Sequence, residues 1–106
     1  MDRARVGTIG EEVAAHFLAR HGLSVVARNV ELPGGEIDIL ALDGPVRVSV
    51  EVRTVTGSQD PLQAFGFEKA SRVRSLANRI GAQRVDLVAI RLKPEAAEAR
   101  WVKGAA

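Results

Sequence analysis

Two runs with a period of two, GEIDILAL and VRVSVEVR, flank Asp43-Gly44-Pro45. This pattern constrains the fold more than any other feature of the chain. Alternation sends successive side chains to opposite faces of a strand, and Asp-Gly signals a tight turn, so the stretch predicts an antiparallel hairpin. Ile37, Ile39, Val48, Val50 and Val52 then fill one face, the core face, while Asp38 and Glu51 share the other. A slip of one residue would bury the charges, so the register is well specified. A two-residue loop at Asp43-Gly44 sets Asp38 opposite Ser49, with Glu36 facing Glu51; a four-residue loop sets Asp38 directly opposite Glu51. Pro45 favours the longer loop, because proline fits poorly in the first strand pair. Either register leaves the Asp38 and Glu51 Cβ atoms roughly 5–8 Å apart. Two converging carboxylates suit Mg²⁺, which favours oxygen ligands and often takes only one or two from protein carboxylates.

The remaining elements are read from spacing and punctuation. Ile9, Val13, Phe17 and Leu18 fall at helical intervals, Thr8 and Glu11 form a capping-box pattern, and Gly22 ends this first helix. Leu23 to Glu31 reads as a strand, and Pro33-Gly34-Gly35 as a turn. TVTGSQDP is a loop; Asp60 and Pro61 have the chemistry of an N-cap and first helical residue, and Gly66 interrupts or bends that region. Val73, Leu76, Ala77 and Ile80 predict an amphipathic helix that stops at Gly81. Arg84 to Leu92 is a strand with little alternation at its centre, hence internal. Residues 94–106 read as a C-terminal tail, with Arg100 to Lys103 as a short edge strand. The order helix, three strands, helix, strand predicts a mixed α/β sheet with helices packed on it.

Length and composition bound the possibilities. The 106 residues fit one domain, 1–106, and no repeat or linker interrupts them. The absence of cysteine excludes disulfides, thiolate metal sites and cysteine nucleophiles. The charged N-terminus lacks a signal-peptide core and no apolar run reaches membrane-spanning length, so the expectation is a cytoplasmic protein with no membrane partner. Net charge is only +2, but residues 1–53 carry six basic and eight acidic side chains, while residues 54–106 carry nine and five. Lys69 to Arg84 holds five basic residues and no acidic one, either a phosphate-facing surface or a solvated helix face.

A wider resemblance rests on GTIGEE at Gly7–Glu12, ARN at Ala27–Asn29, GEIDILALDG at Gly35–Gly44 and VEVR at Val50–Arg53, followed by Lys69 and the RVDLVAI strand. Together these resemble the YraN family of small bacterial proteins, over about Gly7 to Ile90. By resemblance that family falls in the PD-(D/E)XK nuclease superfamily, close to archaeal Holliday-junction resolvases. The resemblance implies a restriction-endonuclease-like α/β fold, a mixed β-sheet flanked by helices. It also assigns roles: Asp38 and Glu51 are the paired metal carboxylates, Glu11 is the helix-borne glutamate brought to the metal, and the Val52 carbonyl is a backbone ligand. Arg53 stands where the superfamily has lysine. The family pattern VEVK-Thr-Arg is VEVR-Thr-Val here, and Ser49 replaces an aromatic residue. Arginine stays protonated, so it cannot act as a base, although its planar fork can hold a phosphate.

Each residue also has a simpler explanation. Glu11 can complete the capping box with Thr8. Glu51 and Arg53, two apart on one face, can form a surface ion pair. Arg47 is the best local partner for Asp38, and Glu36 reads as a strand-edge charge more than a peripheral ligand. His16 and His21, five apart, do not share a helix face as a zinc pair would. Ser49 lacks a His–Asp signature, and Trp101 fits edge-strand packing better than base stacking.

The resulting expectation is an endonuclease dependent on Mg²⁺ or Mn²⁺ that hydrolyses DNA phosphodiesters, weakly because of Arg53. Lys69, Arg72, Arg74 and Arg79 would grip the backbone, and recognition would follow shape, since no base-reading motif is present. Branched DNA and a homodimer are implied by the resolvase resemblance alone. The alternative is a nucleic-acid-binding module of the same fold that has lost turnover; a third is a scaffold whose basic surface binds an acidic protein.

Overall fold

A computed structural model describes residues 2–61 and 66–106. The chain runs through α1 (Arg3–Arg20), β1 (Ser24–Leu32), β2 (Gly35–Asp43), β3 (Val46–Thr56), α2 (Phe67–Arg79), β4 (Arg84–Leu92) and β5 (Ala97–Val102). The strands form one five-stranded sheet in the order β1-β2-β3-β4-β5. All neighbours are antiparallel except β3 and β4. A parallel pair needs a crossover, and α2 lies on the connection that makes it.

The β2–β3 ladder pairs Leu42 with Arg47 and Ile39 with Val50. This is the register predicted for the longer loop. Pairing continues one step further, to Asp43↔Val46, which leaves Gly44-Pro45 as the turn. Gly44 has φ 58, a left-handed conformation that a side chain would disfavour.

The helices cover opposite faces of the sheet. Ala14 and Leu18 of α1 pack on Ile39, Ala41, Val48, Val50, Val88 and Ile90. Val73 and Ala77 of α2 pack on Ala82 and Val85. The central strands are therefore buried on both sides: Val48, Ser49 and Val50 are all buried, as is Val85 through Ile90. The second face of the hairpin is thus covered at its centre, where Ser49 is buried. Helix α1 comes very close to β3 at Gly10, where a Cβ would lie 1.8 Å from Thr54 Oγ1.

Several sequence expectations need correction. Helix α1 begins at Arg3, capped by Asp2, whose carboxylate accepts the Arg5 amide at 2.8 Å. Thr8 lies inside that helix and its hydroxyl donates to the Ala4 carbonyl, so there is no capping box and Glu11 is not used for one. Helix α2 starts at Phe67 with Gly66 as its cap, not at Asp60-Pro61. The continuation expected after Pro61 falls on residues 62–65, outside the described residues. The edge strand runs Ala97–Val102, longer and earlier than Arg100–Lys103, because its whole length pairs with β4. Trp101 packs edge-on to Phe17 and donates Nε1 to Asp86 Oδ2 at 2.9 Å, in line with a packing role. Among the described residues no helix is long and apolar enough to cross a membrane.

A candidate metal centre where the hairpin splays

Beyond Ile39↔Val50 the β2–β3 ladder stops. Another step would set Asp38 against Glu51. Instead the Asp38 side chain intervenes and its Oδ2 accepts the Val52 amide at 2.8 Å. The next strand over is interrupted at the same level. Arg28 pairs with Ile39 and Val30 with Ile37, so Asn29 stands opposite Asp38 without forming a ladder pair. Asn29 has φ 53, the one non-glycine residue with positive φ among the described residues. Asparagine tolerates this region better than most residues, because its short polar side chain bonds locally.

The opening gathers acidic groups from strand β2 and helix α1. One carboxylate oxygen from each of Glu11, Glu36 and Asp38 lies within 4.8 Å of the other two. Asn29 Nδ2 donates to Glu11 Oε1 at 2.7 Å and to Glu36 Oε1 at 3.1 Å. Asp38 feels the crowding most. Burial away from water, then the charge of Glu51, push its carboxyl from 3.8 up to about 7; Glu11 adds to the rise and the Val52 hydrogen bond opposes it. A carboxylate this reluctant to ionise, among others of like charge, is a common mark of a functional site.

Glu51 faces Asp38 as expected, but it does not make the simpler ion pair with Arg53. Its carboxylate pairs with Lys69 Nζ of α2 at 3.4 Å, not with Arg53. The Glu51 side chain is only 12% exposed, so this pair is poorly solvated. Arg47 is not the partner of Asp38: its guanidinium donates to the Ile80 carbonyl at 3.0 Å. The Arg53 side chain makes no hydrogen bond or ion pair among the described residues. It lines a cavity of about 850 Å³ whose wall also includes Arg3, Glu11, Val52, Thr54 and Asp60.

The three hard oxygen donors suit a hard dication, and modest closure would bring them to coordinating distance. This set is not the one expected from sequence. Glu36 joins it, while Glu51 faces Asp38 closely enough to share a side-chain hydrogen bond and also pairs with Lys69. Asn29 went unrecognised as a site residue, although its place in ARN, a strand away from GEID, was visible.

The basic residues do not form a single face. Lys69 turns inward to Glu51. Arg72 and Arg79 line a groove with Gly34 and Ser71, and Arg79 also donates to the Pro33 carbonyl. Arg74 lines a separate groove beside Asn78 and Ala106. Neither histidine approaches the acidic centre: His21 Nδ1 contacts the Phe17 carbonyl at 2.8 Å, and His16 is exposed.

Residues 10–90 match the uncharacterised protein family UPF0102. A UPF0102 protein of Leifsonia xyli is 41% identical over 95 residues, 80% of each chain. One of Symbiobacterium thermophilum is 40% identical over 101 residues, 86% of each chain. A third, of Dictyoglomus turgidum, is 31% identical over 111 residues, covering 95% of this chain and 94% of its own.

Proposed function

The chain belongs to the uncharacterised protein family UPF0102, and we propose that it is a metal-dependent phosphodiesterase of the PD-(D/E)XK class acting on DNA. The observation that carries this reading is the convergence of Glu11, Glu36 and Asp38 beside a cavity walled by Arg53. Three carboxylates repel one another unless a cation or a proton joins them. Glu11, Glu36 and Asp38 would hold Mg²⁺ or Mn²⁺, with Glu51 and the Val52 carbonyl alongside. The bound cation supplies Lewis-acid stabilisation of the phosphate and a lower water pKa.

The chain's own residues do the rest. The Val52 amide fixes the orientation of Asp38. Arg53 holds a phosphate oxygen through its planar fork. Lys69, on Glu51, sets a compact ammonium beside the acidic residues, a point charge where Arg53 has a planar fork. Arg72 and Arg79 grip flanking phosphates without reading bases. A branched substrate, cut by two copies of the chain, extends the resolvase resemblance.

The test is cleavage of branched and single-stranded DNA with Mg²⁺ or Mn²⁺. Slow cutting by the wild type, abolished in Asp38→Ala, is the expected outcome; equal cutting by Asp38→Ala would put the site elsewhere. Arg53 itself favours a second reading, a DNA-binding module without turnover. Under that reading the wild type binds but does not cut, and Arg53→Lys gains cleavage.

A further inference from the structure

We infer that Asn29 is the positioning residue of the acidic centre, holding Glu11 and Glu36 in converging geometry so that a dication meets a preformed donor set. The inference rests on the proposed metal centre and concerns what keeps that centre assembled. Glu11 comes from a helix and Glu36 from a strand, and no backbone pairing ties these two elements together at this point. Both are exposed enough to swing apart, and mutual repulsion favours that. One amide nitrogen opposes it: Nδ2 of Asn29 donates to Glu11 at 2.7 Å and to Glu36 at 3.1 Å.

Both bonds end on Oε1, so Oε2 of each carboxylate is left out of them. A hydrogen-bond donor behind a ligating carboxylate orients it and is a recurrent part of metal sites. The backbone serves the same end. With φ 53, Asn29 leaves the β1–β2 ladder opposite Asp38, and its amide reaches both glutamates from there. A residue that merely closed a turn would need the positive φ but not the amide. Asn29 has both, and its amide bonds link two charges of like sign.

Glycine separates these roles, because it accepts positive φ and lacks the amide. Mn²⁺ binding to the metal-free protein, followed by the paramagnetic resonance of free Mn²⁺, is measured for the wild type, Asn29→Gly and Asp38→Ala. Asn29→Gly is expected to bind roughly ten-fold or more weakly, with melting still cooperative. Wild-type affinity in Asn29→Gly overturns the positioning role while leaving the metal centre intact. No binding by the wild type, or undiminished binding by Asp38→Ala, overturns the metal reading and this inference with it. A second measurement needs no variant. On titration of the wild type with diamagnetic Mg²⁺, the Asn29 side-chain NH₂ resonances should shift and saturate with binding; if they stay fixed while Mg²⁺ binds, the inference fails.

Discussion

At the scale of single residues, Asp38 and Asp86 make a useful contrast. Asp86 is fully buried, yet it receives hydrogen bonds from Arg84 Nε and Nη2, Trp101 Nε1 and the Gly104 amide. Asp38 accepts the Val52 amide, but its other close neighbours are carboxylates: Glu51, with which it shares a side-chain hydrogen bond, and Glu11. Stability is given up at one carboxylate and secured at the other, and the insecure one sits where a cation would resolve the conflict. This contrast sets the pH dependence. The Asp38 carboxyl rises from 3.8 to about 7 on folding, so between those values the folded protein keeps a proton that the unfolded chain has lost. Its contribution to stability is therefore full below pH 3.8 and is lost as pH rises through about 7. Asp38→Asn removes the titration while keeping an acceptor for the Val52 amide. With divalent ions chelated, urea melts should find this variant roughly 2–4 kcal/mol more stable than wild type at pH 8 and nearly equal at pH 4. The same stability difference at both pH values would mean that Asp38 is not the strained carboxylate.

At the scale of elements, the close approach of α1 to β3 is set by Gly10. A Cβ there would lie 1.8 Å from Thr54 Oγ1 and 2.7 Å from Thr54 Cβ. The helix must stay this near, because Glu11 is the next residue after Gly10 and has to reach the acidic centre. Gly10→Ala should therefore destabilise by about 1–3 kcal/mol through overpacking, measured by denaturant melts. Thr54→Ala should relieve only part of that, since its own Cβ remains too close; additive losses in the double variant would contradict the contact. What the sequence revealed divides along the same line. The hairpin, its register and the helix over Val73, Leu76 and Ala77 were legible, because period and turn chemistry act within one segment. The helix start at Asp2 was not: the Thr8–Glu11 pattern competed with it, and the capping box lost to a longer helix. The site was half legible. Asp38, Glu51 and Glu11 drew attention as acids in a familiar pattern, but the turn of Glu51 to Lys69 and the bridging by Asn29 depend on packing between distant segments. Such contacts leave no local period to read.

At the scale of the whole molecule, the sheet has a neutralised end and a charged end. Near the hairpin turn, Arg84 joins Asp43 of β2 to Asp86 of β4, and Trp101 and Gly104 bring β5 and the C-terminal turn to the same carboxylate. Asp86 and Asp43 hold the Arg84 guanidinium more firmly protonated than usual. At the splayed end, Glu11, Glu36 and Asp38 gather with Asn29 as the donor shared by the two glutamates. A molecule built this way carries its stability at one end and its unsatisfied charge at the other, so each should be removable without the other. Asp86→Ala tests the separation. It leaves the Trp101 N–H and the Gly104 amide without their acceptor and frees one side of Arg84, and should cost roughly 2–4 kcal/mol. Its Mn²⁺ affinity should stay within about two-fold of wild type below the melting transition, since Asp86 bonds to Arg84, Trp101 and Gly104 and shares none of these partners with Glu11, Glu36 or Asp38. Asp38→Ala should do the reverse, losing Mn²⁺ while keeping or gaining stability at pH 8. If Asp86→Ala instead loses Mn²⁺ binding while still folded, the two ends are coupled through β3 and β4, and the metal centre depends on the alignment of the whole sheet.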